Sequence, residues 1–269
     1  MTITNIKEAV IDALRIKKKA IFFTCNKGGT GKTTMTVSLA SILRSDHFNP
    51  PGVDKPVVAV FSADPQNHGI QNFLGEFSND ATITLSLIDI DTQEGRDELL
   101  NILDEPKYAA ADYLLFDFAA NKVKAIQDVV GDADAFFQNF ESAGFETIVI
   151  NPLTSAVDTA ISIRECVETY GQIPTYVTAI NLLSIDKSRP DSVYHKEYKT
   201  VALKALVGHK HIEVDMPDID EKFLKLCSDN NIGPFSDEVE TSKLLPRALK
   251  IRWNINRKSM SDLVKIILQ

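Results

Sequence analysis

Cysteine is scarce: Cys25, Cys166 and Cys227 are the full complement in 269 residues, odd in number and without a CxxC or Cys/His cluster. That argues against a disulfide scaffold and against a zinc or iron–sulfur site, and it fits a reducing compartment. Long apolar runs are missing too. None approaches the roughly 18 residues needed to span a bilayer, and Lys7, Glu8 and Asp12 interrupt the N-terminal stretch, which does not read as a signal peptide. A cytoplasmic location is the expectation. Positive charge is also short, with 29 Lys and Arg against 37 Asp and Glu and a net charge of −8. Attraction to nucleic acid therefore has to come from a local patch. Internal repeats, low-complexity tracts and linkers are absent as well, so residues 1–269 are expected to form one domain with its own core.

What is present is an alternation. Met1 to Ile16 sets Ile6, Val10, Ala13 and Leu14 at helical spacing, which predicts a helical extension over residues 1–18. Apolar runs of strand length follow at Ala20–Cys25, Val57–Phe61, Tyr113–Phe116, Thr147–Ile150 and Tyr176–Ile180. Helical stretches separate them, at Thr33–Arg44, Arg96–Leu103, Val123–Phe140 and Ala156–Tyr170. Strands apolar on both faces and joined by helices predict an α/β fold, a mostly parallel twisted sheet with helices on both faces. Right-handed crossovers bring the strand C-terminal ends to one edge, where chemistry is expected.

Asn26-Lys27-Gly28-Gly29-Thr30-Gly31-Lys32-Thr33-Thr34 follows the first strand and opens a helix. Glycines there let the backbone turn tightly and aim N–H groups inward, and the helix start adds its positive end, as phosphate binding requires. Lys32 is placed for the β/γ-phosphates, the Thr33 hydroxyl for Mg²⁺ and Thr34 for the α-phosphate. The ordinary G-x-x-x-x-G-K-[ST] pattern has glycine where this chain has Asn26, and a second lysine, Lys27, precedes the glycine pair. K-G-G-x-G-K-T-T resembles the deviant Walker A signature of the ParA/MinD-type P-loop ATPases. The resemblance implies that residues 27–34 bind ATP, that Lys27 and Lys32 act catalytically, and that Lys27 reaches a partner's phosphates across a nucleotide-sandwich homodimer.

Two acidic segments resemble the same family. Ser62-Ala63-Asp64-Pro65-Gln66 is similar to a D-x-D-P-Q switch, which implies that Asp64 orients the attacking water beside the metal; Ser62 replaces the first acid. Asp112–Ala120 (DYLLFDFAA) resembles a Walker B strand, which assigns Asp117 to Mg²⁺ alongside Thr33, with Ala119 and Ala120 where the family carries prolines or a proline and glycine. The plain alternatives are an Asp-Pro turn at Asp64 and a helix cap at Asp117. Farther on, Ile150-Asn151-Pro152, Asn181 and Met216-Pro217 resemble strand-end and base-pocket segments, with Asn181 and Pro217 at the adenine; Asn is equally a turn residue. His209 and His211 flank Lys210 without a third ligand and make a poor metal site.

The C-terminal region, residues 238–269, is predicted to be helical and basic. Lys243–Gln269 carries seven Lys/Arg and one acid, a local charge of +6 that leaves −14 to the rest of the chain. Lys250, Arg252, Arg257 and Lys258 are the DNA-phosphate candidates, against the alternative of a solvated helix face. Ser261–Gln269 is short and holds one lysine, so a membrane partner is not expected. The resemblance thus implies a slow ATPase that dimerises with ATP and Mg²⁺, binds DNA without sequence preference, and partitions or positions a plasmid, chromosome or protein cargo through a centromere-binding or adaptor protein. A MinD-like membrane-cycling or conjugation accessory ATPase, a non-hydrolysing scaffold and a metabolic ligase of the dethiobiotin-synthetase kind are the alternatives.

Overall fold

The computed structural model describes residues 18–49, 52, 54–63, 69–74, 83–243 and 246–268. The expected N-terminal helix and Asp64 lie outside them. The apolar runs form strands β1 (Lys18–Phe23), β2 (Val58–Ala63), β4 (Tyr113–Phe118), β5 (Phe145–Leu153) and β6 (Thr175–Asn181), buried nearly throughout. Two more strands, β3 (Ile83–Leu87) and β7 (His211–Met216), complete a seven-stranded sheet in the order β3-β2-β4-β1-β5-β6-β7. Every pairing is parallel. All seven C-terminal ends therefore lie on one edge, and the chain leaves the central strand β1 at the crevice that open α/β sheets use for ligands.

The helices in chain order are α1 (Lys32–Arg44), α2 (Gly69–Leu74), α3 (Gln93–Leu100), α4 (Pro106–Ala109), α5 (Ala125–Val130), α6 (Ala133–Ser142), α7 (Val157–Tyr170), α8 (Leu203–Ala205), α9 (Glu221–Asp229), α10 (Asp237–Thr241) and α11 (Arg247–Leu268). A π-helical segment, Tyr194–Ala202, leads into α8. The helix expected over Val123–Phe140 is two: Gly131 turns left-handed (φ 70) at the end of α5, and the Asp132 carboxylate caps α6 by accepting from the Ala135 N–H. The basic C-terminal region likewise divides into α10 and α11.

Pleating sends successive β1 side chains to opposite faces. Phe22 packs on one face with Phe116 (4.6 Å between ring centres) and with Phe136, Phe137 and Phe140 edge-on. Burial of such a ring stabilises by about 1.5–3 kcal/mol, and its aromatic partners add roughly 0.5–1.5 kcal/mol per pair. Ile21 and Phe23 face the other core, built from α1, β2 and α11. There Trp253, Met260, Leu263, Val264 and Ile267 form the buried stripe of α11, and the Trp253 indole donates to Pro234 O at 2.7 Å. The basic helix is thus an integral wall of the second core.

Candidate nucleotide site

Sheet register puts Ser62, Asp117, Phe23 and Ile150 in one row across β2, β4, β1 and β5. The phosphate loop leaves β1 directly beside Asp117. Its entry is fixed by Asn151, whose buried amide donates to Thr24 O at 2.9 Å. The turn then closes with Gly29 (φ 69) and Gly31 (φ 95) left-handed, and a Cβ added at either would meet nothing within 4 Å. Conformation, not crowding, demands glycine there. The open side of the turn is a cavity of about 300 Å³ lined by residues 28–34 with Asp117, Phe118 and Ala120. Gly31 caps α1 without a side-chain hydrogen bond, so the first-turn N–H groups meet the cavity as donors with the positive end of the helix behind them.

Thr33 and Asp117 come together as the sequence implies. The Thr33 hydroxyl donates to Asp117 Oδ2 at 2.7 Å, and the carboxylate is 2% exposed. A hydroxyl and a carboxylate side by side at the wall of a phosphate-sized cavity are hard oxygen donors, the set that Mg²⁺ takes with substrate phosphates. The residues fit the metal. In the same row, the Ser62 hydroxyl is buried and finds no hydrogen-bond partner among the described residues.

The two loop lysines differ sharply. Lys32 is 8% exposed and its ammonium curls into the loop, 3.4 Å from Lys27 O and 3.5 Å from Cys25 O. Lys27 stands 49% exposed at the rim, 3.8 Å from the Asp158 carboxylate at the start of α7. Asp158 escapes sequence reasoning because nothing local ties it to the loop. Asn26, which departs from the ordinary pattern, bonds to α7 through both its backbone and its side chain.

Thr30, Gly31 and Thr34 line a second cavity as well, about 150 Å³, bounded by Pro152, Asn181, Met216, Pro217 and Leu224. The expected base-pocket residues Asn181 and Pro217 do converge, on the edge where β6 and β7 end together (Asn181 beside Met216). Asn181 Oδ1 accepts the Leu183 N–H at 3.0 Å, so its amide N–H is the group left to donate.

The four DNA candidates lie on α11, largely committed within the molecule. Arg252 pairs with Asp220 at 3.2 Å. Arg257, 13% exposed, stacks 4.3 Å over Trp253 and pairs with Glu240 at 3.3 Å. Lys250 donates to Glu240 O at 3.0 Å, and Lys258 is exposed. His211 bonds Thr178 and Tyr198, and burial lowers its pKa against the opposing pull of Glu213. Among the described residues no group of three His, Cys, Asp or Glu is placed to hold a metal, and no helix is long and apolar enough to cross a membrane.

No family model matches the sequence, and no curated protein matches it either. Among solved structures, the chain is similar to one from the MinC:MinD cell division protein complex of Aquifex aeolicus, at 16% identity and a TM-score of 0.51, covering 93% of this chain and 96% of that one. FtsY from Mycoplasma mycoides aligns at 14% identity and a TM-score of 0.43, over 76% of this chain and 68% of its own. A parallel sheet of seven strands, a glycine loop leaving its central strand and an end-to-end likeness to the MinD complex chain coincide. In fold, this chain is a parallel α/β protein similar to that chain of the MinC:MinD complex.

Proposed function

We propose that the chain is an ATP-driven dimerising switch, an ATPase whose subunits close face to face with ATP bound and part after hydrolysis, used to partition or position DNA or a protein cargo. The observation that carries the reading is the contrast between the two loop lysines. Lys32 is buried within its own loop, the place for a cation that serves its own subunit's phosphates. Lys27 is half exposed, tethered by one long ion pair to an exposed carboxylate, a contact too weak to hold it. Reaching into a partner's cavity, it would stabilise the negative charge that develops on the transferring phosphoryl group. Hydrolysis would then wait on dimerisation. Mg²⁺ held by Thr33 and Asp117 would neutralise phosphate charge, and Asp64 keeps the water-orienting role implied by the switch segment. Adenine as the base follows from the family resemblance, with the Asn181 amide N–H and the Pro217 wall as its contacts.

DNA as cargo is supported by the +6 charge of the last 27 residues. The ion pairs of Arg252 and Arg257 shift that support toward exposed Arg247 and Lys258. ATP hydrolysis measured against protein concentration, with and without duplex DNA at two salt concentrations, tests both levels. The switch requires a rate per subunit that rises with protein concentration, and DNA binding requires stimulation that weakens with salt. A concentration-independent rate removes the dimer. Absence of any DNA effect at either salt removes DNA as cargo alone, and turnover only in the presence of a carboxylate substrate favours the ligase.

A further inference from the structure

The loop from β4 to α5, residues 119–124, turns through Asn121 in the left-handed region (φ 62), a state that asparagine adopts more readily than other non-glycine residues. Three contacts hold the loop in place. Lys122 pairs with Asp91. Ala120 Cβ lies 3.8 Å from the position a Gly28 Cβ would take, so this loop packs directly on the phosphate loop. Val123, fully buried, donates its N–H to Asn26 Oδ1 at 3.3 Å.

Asn26 spends its other groups on α7. Its Nδ2 donates to Glu165 Oε2 at 2.7 Å and its backbone N–H to Ser162 Oγ at 2.8 Å. A carboxamide offers a donor and an acceptor on one short stem, and both are in use, on different elements. The glycine of an ordinary phosphate loop has no atom to bridge them. We propose that Asn26 is a positioning residue that latches the loop following Asp117 to the phosphate loop, with Glu165 as its anchor, so that the two loops move as one body when phosphates enter the cavity. Its consequence for turnover rests on the nucleotide-switch reading; the latch itself exists without nucleotide.

The test uses the full chain and reads the Val123 amide by hydrogen exchange, ATP affinity by calorimetry, and turnover. Asn26→Gly should lose Val123 protection without nucleotide, hold ATP affinity within about twofold, and turn over about tenfold more slowly. Asn26→Asp keeps the acceptor for Val123 but sets a second carboxylate against Glu165, and it should be impaired. Adding Glu165→Gln restores a donor–acceptor pair with its polarity reversed and should recover most of the turnover. Val123 protection unchanged in Asn26→Gly, or a double variant no better than Asn26→Asp, overturns the latch. A wild-type chain that binds no ATP, with Val123 protected in it and unprotected in Asn26→Gly, would instead sink the switch reading and leave the latch standing.

Discussion

Two variants, each inactive alone, report whether Lys27 works in its own subunit or in its neighbour. Lys27→Ala removes a half-exposed side chain whose one ion pair among the described residues, at 3.8 Å to a 66% exposed carboxylate, contributes at most about 0.5 kcal/mol. In a chain of this length that moves Tm by only about 2 °C or less. Nucleotide affinity of the monomer should hardly change, while turnover falls on the order of a hundredfold or more, the scale on which a cation at the transferring phosphoryl group acts. Lys32→Ala, by contrast, removes the ammonium folded inside the loop and should abolish nucleotide binding. Mixed in equal amounts with Asp64→Ala, which keeps both loop lysines and lacks only the proposed water-orienting carboxylate, Lys27→Ala forms heterodimers in about half of the pairs by random association, each with one competent site of two. That site has the nucleotide loop of the Lys27→Ala subunit and the intact Lys27 of the other. Steady-state phosphate release should recover to about a quarter of the wild-type rate. A mixture as inactive as its components would place Lys27 in cis and refute the reasoning.

Trp253→Ala should destabilise by about 3–5 kcal/mol, because it empties a fully buried site between α11 and the sheet and strands Pro234 O. Chemical denaturation followed by circular dichroism measures it; a loss below about 1 kcal/mol would mean that α11 is not part of the core. Burial holds the His211 pKa below its ordinary value of 6.5, so the unfolded chain binds the proton more readily. Stability from this group is present above that value and is lost as pH falls below it. His211→Gln should therefore flatten the pH dependence of Tm between about pH 7 and 5, and parallel wild-type and variant profiles would contradict it.

The central strands and the phosphate loop were legible because burial on both faces leaves unbroken apolar runs, as in Ala20–Cys25 and Tyr113–Phe116. The edge strands leave none. β7 reads His-Ile-Glu-Val-Asp-Met, an alternation that a search for period two would have found, and β3 has exposed Leu85 and Leu87 on its open side. The break between α5 and α6 is written in Gly131-Asp132, a helix stop followed by a cap, and is masked by the apolar residues on either side. In the site, Thr33 and Asp117 were readable from their motifs, 84 residues apart, since strand register brings motif ends together. Asp158, Ser162 and Glu165 were not, because their roles arise from α7 lying beside the loop. The charge of α11 was visible and its ion pairs were not: Asp220 lies 32 residues from Arg252 and Glu240 lies 17 from Arg257.

The most direct measurement is mass in solution by light scattering, with nucleotide occupancy measured in the same sample. Without nucleotide the 29.8 kDa chain should run as a monomer. With Mg²⁺ and a non-hydrolysable ATP analogue it should reach about twice that mass, and Lys32→Ala should abolish the change. A monomer at full nucleotide occupancy would contradict the account.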